Sequence, residues 1–314
     1  MKILFSFLPK PEQQTNLLEE FSEFEFIFRK GLDENELKSA DILVTYGEDI
    51  ELSHLETAKQ LKWIMVASAG LEKMPLKEIA ARDIVVTNVR GIHKIPMAES
   101  IIAHILSIKK CLPLVAENQK QKVWFRRVQS FELHGSTALI IGPGAIGGEV
   151  GRILQAFGVK TIGCNRSGYA APYMDEMTSF EQIADVLPLA DIVISILPST
   201  EETKGLLTYD HFQSMKPSAI FMNYGRGDVV KEADILQAMQ KECIAYAVLD
   251  VFENEPLGQD HPFWEMDNVI ISPHISSHSS QYLVRALEIF SKNLNLWSNG
   301  NKELENIIVL EKGY

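Results

Sequence analysis

Three glycines, Gly142, Gly144 and Gly147, stand at the spacing G-x-G-x-x-G in the segment GPGAIG. They follow the apolar run TALII and open a stretch with helical spacing, EVGRILQAF. In that setting the first glycine permits a tight turn, the second lets a pyrophosphate approach the backbone, and the third lets helix and strand pack closely. A phosphate would sit at the positive end of the helix that Ala145 and Ile146 begin. The segment reads as a dinucleotide-binding turn.

Other chemistry-bearing residues recur just beyond short β-rich runs: Asn165-Arg166-Ser167, Pro198-Ser199-Thr200, Gly225-Arg226-Gly227, Asp250 and His274. If the strands are parallel, all of them share the C-terminal edge, where open α/β sheets bind ligands. Arg226 lies between two small residues that would let a ligand come close, and its fork can hold a carboxylate by two charge-assisted hydrogen bonds. A solvated turn arginine would have the same local sequence. His274, after Pro273, fits a turn residue or a catalyst, and Glu255 in FENEP fits a functional acid or a solvated loop acid, as Glu253 does.

The run TIGCNRSG carries information about the cofactor. In a site that prefers NAD, an acid ending this strand accepts hydrogen bonds from the adenosine ribose, and its charge repels the extra phosphate of NADP. Here Asn165 is uncharged, Arg166 offers a charge-assisted contact to a 2′-phosphate, and Ser167 adds a hydroxyl. The expectation is NADP(H) preferred, with NAD(H) possible. The alternative is that Arg166 is a solvated loop residue and Asn165 binds the ribose of NAD.

Positioning such a rim requires parallel strands alternating with helices. From the start, KILFSFL, FEFIFRK, DILVTYG, KWIMVAS and DIVVTN are short β-rich runs separated by helical or turn segments, which predicts a small parallel α/β domain. After Pro96 the long stretch MAESIIAHILSIKKCLPLVAENQKQK has helical spacing, with Pro113 as a break. Six strands then follow: TALIIG, TIGCN, DIVISIL, SAIFMNYG, IAYAVLDV and NVIIS. A last helix near Ser280 to Trp297 and the run NIIVLE would return to the first domain.

The 314 residues suit two domains, each with its own core. With 46% hydrophobic and 23% charged residues the composition is that of a globular protein. A formal net charge of −12 argues against nucleic acid or an anionic membrane as partner. Cys111, Cys164 and Cys243 are few and far apart, which suits reduced core thiols in a cytoplasmic protein and no metal site. The N-terminal apolar run reads as a strand and not as a signal peptide, and no run approaches the length of a membrane span.

The motifs GPGAIG, LPSTEET, MNYGRGDVV, LDVFENEPL and SPHIS, in this order, resemble the D-2-hydroxyacid dehydrogenase family. The loop ASAG at 67–70, TNVRGIHKIPMAE at 87–99 and ELHGSTALIIG look like its other landmarks, so the resemblance covers nearly the whole chain. It implies two doubly wound domains: a Rossmann dinucleotide-binding domain, 96–280, inserted into a discontinuous flavodoxin-like substrate domain, 1–95 with 281–314. It implies hydride transfer from a nicotinamide cofactor to a small 2-oxo acid such as glyoxylate or hydroxypyruvate, giving the D-2-hydroxy acid.

Carried over by residue, Arg226 matches the carboxylate-binding arginine, His274 the acid/base and Glu255 the acid that holds it. Asp250 matches the contact to the nicotinamide carboxamide. Pro198 and Thr203 of LPSTEET join the cofactor set, and the amides of Ala69 and Gly70 complete the carboxylate grip. Pro143 and Met97 depart from the family pattern. A homodimer is implied, with the region from Met97 to Arg127 as its arm. Glu255 argues against a formate dehydrogenase, which pairs the histidine with an amide. A phosphoglycerate dehydrogenase, or a dinucleotide-sensing scaffold or corepressor on the same fold, would carry the same pattern.

Overall fold

The computed structural model describes residues 1–68, 70, 71 and 73–310. The chain divides into two compact units, Met1–Ile92 with Ser279–Tyr314, and His93–His278.

In the first unit the five β-rich runs form β1 (Lys2–Phe5), β2 (Glu25–Phe28), β3 (Ile42–Thr45), β4 (Trp63–Val66) and β5 (Val85–Asn88). They pair in parallel in the order β2-β1-β3-β4-β5, the flavodoxin-like order. Strands β3 and β4, ILVT and WIMV, are buried on both faces, as a parallel sheet covered on two sides requires. Helices α1 (Pro11–Glu20), α2 (Glu34–Leu37), α3 (Leu52–Thr57) and α4 (Leu76–Ala80) make the connections. Pro11 and Glu12 suit the first turn of α1, where a missing N–H costs nothing and a negative charge meets the helix dipole. The buried indole of Trp63 donates to Thr87 Oγ1 at 2.9 Å.

The returning helix, α11 (Tyr282–Ser298), buries Ala286, Leu287, Phe290, Asn293 and Leu294. Phe290 packs edge-on against Phe5 and stacks on Trp63. Residues 306–310 of NIIVLE do not form a further strand. Ile307 makes one antiparallel bridge to Thr87, and Ile308 N donates to Val86 O at 2.9 Å.

The second unit begins with α5 (Lys94–Lys109) and α6 (Leu112–Lys120). The break between them falls at Cys111, whose φ of 53° leaves the helical region; Pro113 opens the next helix, where proline is tolerated. Then come β6 (Thr137–Ile141), α7 (Ala145–Ala156), β7 (Lys160–Asn165), β8 (Glu176–Ser179), α8 (Ile183–Val186), β9 (Ile192–Ser195), α9 (Tyr209–Ser214), β10 (Ile220–Asn223), α10 (Glu232–Gln240), β11 (Tyr246–Leu249) and β12 (Val269–Ile271). All seven strands are parallel in the order β12-β11-β10-β9-β6-β7-β8, a Rossmann order extended by one strand.

One strand more than the six expected is present. The extra one, β8, reads EMTS, a short polar edge strand whose sequence carries no apolar run. The cysteines also differ from expectation. Only Cys164 is fully buried, with burial pushing its thiol up to about 12, while Cys111 and Cys243 are half-buried. Among the described residues, no helix is long and apolar enough to cross a membrane.

Candidate active site

The glycine turn after β6 is built from three different requirements. Gly142 has φ 92°, and a Cβ there would stand 2.8 Å from Ile196 O. A Cβ on Gly147 would stand 2.6 Å from Gly142 O, so the third glycine lets α7 close on its own strand. Gly144 is different. It caps α7, is exposed, and a Cβ there meets nothing within 4 Å. Its missing side chain opens space at the helix N-terminus, with exposed Ala145 and half-buried Ile146 in the first turn. That open cradle at a positive helix end suits a pyrophosphate.

At the end of β7 the Asn165 side chain is tied into its own loop. Its Oδ1 accepts from Ser167 N at 3.2 Å and Gly168 N at 2.7 Å, and its Nδ2 donates to Tyr169 O at 2.9 Å. Arg166 and Ser167 are exposed. Arg166 Nη1 donates to both carboxylate oxygens of Glu202 at 3.0 Å.

In the loop after β9, Pro198 is exposed and Thr203 is buried. Thr203 Oγ1 donates to Pro198 O at 2.6 Å and accepts from Thr200 N at 2.8 Å, which closes the loop on itself. Ser199 Oγ donates to Asp228 Oδ2 at 2.6 Å.

Arg226 is half-buried in extended backbone, with Nη1 donating to Gly225 O at 2.9 Å. The flanking glycines have a reason other than ligand access. A Cβ on Gly225 would stand 2.3 Å from Leu197 O, and one on Gly227 only 2.0 Å from the carbonyl carbon of Phe252. Neighbouring backbone occupies the space that side chains would need, so the expectation that these glycines clear a path for a ligand is corrected. Tyr224, just before them, is buried, and its hydroxyl bonds His104 Nδ1 at 2.7 Å. Burial, and then the charge of Asp250, push the phenol upward and keep it neutral.

The loop after β12 hangs on Asp250, which is 1% exposed. Its Oδ1 accepts from Ser272 Oγ at 2.5 Å, Ile275 N at 3.2 Å and Ser276 N at 3.3 Å, and its Oδ2 accepts from Ser276 Oγ at 2.5 Å. His274 sits at the top of that loop with φ 53°, its N–H donating to Asp250 O at 2.8 Å. A left-handed conformation is costly for a histidine and persists only where the surroundings impose it. His274 Nδ1 meets Glu255 Oε2 at 2.8 Å. The other Glu255 oxygen, Oε1, accepts from Phe252 N at 3.0 Å, which fixes the carboxylate against the ring. Glu253 is not simply solvated: its Oε1 accepts from Glu232 N at 2.8 Å at the start of α10.

The structure thus brings His274 and Glu255 together, and Asp250 beneath them. Gly70 belongs to the first unit, where its carbonyl accepts from Ser68 Oγ at 3.0 Å; Ala69 lies outside the described residues. Sequence reasoning missed Glu202, His104 and the two serines. Ser272 and Ser276 stand symmetrically two residues either side of His274 in SPHIS, a spacing that was available to notice.

Residues 102–276 match the family model described as the NAD-binding domain of D-isomer-specific 2-hydroxyacid dehydrogenase. The chain is 33% identical to a solved D-isomer-specific 2-hydroxyacid dehydrogenase family protein from Aeromonas salmonicida, covering 98% of this chain and 99% of that one with a TM-score of 0.87. It is 32% identical to glyoxylate/hydroxypyruvate reductase B of an Enterobacter species, over 84% of this chain and 83% of the relative. A solved NADPH-dependent glyoxylate/hydroxypyruvate reductase from Sinorhizobium meliloti is 25% identical, with 98% of each chain covered and a TM-score of 0.81. Relatives named D-3-phosphoglycerate dehydrogenase are matched over about half of their own length.

Proposed function

Because the chain belongs to the D-isomer-specific 2-hydroxyacid dehydrogenase family, we propose that it reduces a small 2-oxo acid of the glyoxylate or hydroxypyruvate type to the D-2-hydroxy acid, with NADP(H) preferred over NAD(H). The observation that carries this reading is the His274–Glu255 pair at 2.8 Å on a loop anchored by Asp250. Residues 96–280 act as the dinucleotide domain, and 1–95 with 281–314 as the substrate domain. When bound, the reduced nicotinamide supplies hydride to the carbonyl carbon.

The protein's own groups do the rest. Gly142, Gly144 and Gly147 with the N-terminus of α7 hold the pyrophosphate, and Arg166 and Ser167 hold the 2′-phosphate. Arg226 grips the substrate carboxylate with its fork, and its charge stabilises the oxygen as it becomes negative. Glu255 engages His274 Nδ1, which leaves Nε2 to deliver the proton to that oxygen. The carboxylate, itself fixed by Phe252 N, holds the ring in one orientation for that transfer.

The same reading includes a homodimer. In α5, Met97, Ala98, Ile101, Ile102, Ile105 and Ile108 are buried within their own unit, so that part of the expected arm is not open. The exposed apolar residues lie further on, at Leu112, Leu114, Val115, Val123, Trp124 and Phe125. A second copy seated on that segment would cover it.

The test is a panel of 2-oxo acids with NADPH and NADH, with the chirality of the product determined. The D-product with higher kcat/KM for NADPH is expected. An L-product would sink the reaction assignment, and absence of turnover on every small 2-oxo acid would favour a dinucleotide-sensing scaffold.

A further inference from the structure

We infer that Glu202 sets the cofactor preference from the opposite side: its carboxylate competes with a 2′-phosphate for the Arg166 guanidinium and holds the selectivity for NADP(H) below what the loop after β7 alone would confer. The inference rests on the reading of Arg166 as the 2′-phosphate ligand.

The sheet order makes the placement significant. Arg166 follows β7 and Glu202 lies in the loop after β9, and β6 stands between those two strands. The ion pair at 3.0 Å therefore bridges the loops on either flank of the glycine turn that ends β6. Any dinucleotide held at Gly144 lies next to both partners.

The loop that presents Glu202 is fixed. Thr203 ties Thr200 N and Pro198 O together, and Thr203 N and Lys204 N both donate to Thr200 O, at 3.1 and 3.0 Å. The neighbouring acid, Glu201, is engaged by Lys204 at 3.2 Å. Of the two adjacent acids, Glu202 is the one that reaches the arginine. Asn165, by contrast, is folded into its turn and brings no charge to the cluster.

The pair is built to be exchanged. The Arg166 side chain is 73% exposed and that of Glu202 59%, so solvent and salt weaken their attraction. A dianionic phosphate arriving at the guanidinium either displaces the carboxylate or shares the arginine with it and is repelled by it. A ribose bearing a free 2′-hydroxyl asks nothing of the guanidinium, and the pair can persist. Glu202 thus costs affinity for the phosphorylated cofactor and spares the other.

Calorimetric binding of two adenosine fragments at low salt, adenosine 2′,5′-bisphosphate and adenosine 5′-monophosphate, tests this without turnover. Glu202→Gln keeps the shape and removes the charge. It should tighten the bisphosphate by about two- to fivefold, the range of an exposed ion pair, and leave the monophosphate unchanged within error. In an Arg166→Ala background the same change should have a smaller effect, because no guanidinium remains to be contested. If Glu202→Gln leaves bisphosphate affinity unchanged or weakens it while Arg166→Ala abolishes discrimination, this inference falls and the cofactor reading stands. If Arg166→Ala leaves discrimination intact, the cofactor reading falls and takes the inference with it.

Discussion

At the end of β11 the buried Asp250 carboxylate holds the loop after β12 by hydrogen bonds, whereas beyond β7 the Arg166 guanidinium is paired across an exposed rim. Asp250 is 1% exposed and takes four hydrogen bonds from Ser272, Ile275 and Ser276. Arg166 and Glu202 are mostly exposed and hold each other by charge. The difference matches the two tasks proposed for these ends. Proton delivery needs a ring held in one orientation, and buried, fully satisfied polar groups provide that rigidity. Choosing between two cofactors needs charges that can change partner, which an exposed rim allows at little cost.

The largest effect is expected at His274. Replacing it by Ala removes the proposed proton donor without unbinding the loop, since Asp250 bonds Ser272, Ile275 and Ser276 and not the imidazole. A fall in kcat of roughly 100-fold or more is expected, with cofactor Kd unchanged. Steady-state kinetics beside a binding titration separates these. A His274→Ala enzyme with near-normal kcat would show that the rigid end does no chemistry.

A change at the exposed end should instead move preference. Asn165→Asp with Arg166→Ala removes the exposed guanidinium and adds a negative charge at the end of β7, which disfavours a 2′-phosphate there. The ratio of kcat/KM for NADPH to that for NADH should fall by about 10- to 100-fold, as expected when charge-assisted bonds at a rim are lost. The kcat with NADH should hold. An equal loss with both cofactors would mean that the Asn165 turn, with its three hydrogen bonds, supports the fold of the loop more than it selects.

Glu255→Gln sharpens the same contrast more gently. Glutamine can preserve a hydrogen bond to His274 Nδ1 but brings no negative charge. The ring is then oriented by a neutral partner alone, so kcat for reduction should fall by a few-fold, less than on removal of the ring, with cofactor Kd unchanged. A kcat that stays at its wild-type value in steady-state kinetics would show that the Glu255 charge plays no part in proton delivery.

What the sequence disclosed follows this division too. The glycine turn and the parallel strand ends were legible because their signals are local: a spacing of six residues and short β-rich runs. Strand β8 was not, because EMTS at a sheet edge needs no apolar side chains. Gly225 and Gly227 were visible as glycines, but the reason for them was not, since it depends on the backbone of Leu197 and Phe252 arriving from distant segments. The same holds for Arg166 and Glu202, 36 residues apart, and for His104 and Tyr224, 120 apart. Their pairing is a property of strand order, which spacing along the chain does not encode.

The smallest expected effect lies under the rigid end. Tyr224 immediately precedes Gly225-Arg226, and its buried hydroxyl pins the end of β10 to His104 on α5 at 2.7 Å. Tyr224→Phe keeps the ring volume and removes that bond. The loss should be about 1 kcal/mol of stability, the net worth of one hydrogen bond, or about 2 to 4 °C for a unit of this size. Because the bond holds the strand that carries Arg226, KM for the 2-oxo acid should rise modestly while kcat and the NADPH/NADH ratio stay near their wild-type values. Thermal unfolding and steady-state kinetics on the same preparation read all three. A shift in cofactor ratio would couple the buried end to the rim and dissolve the separation between them.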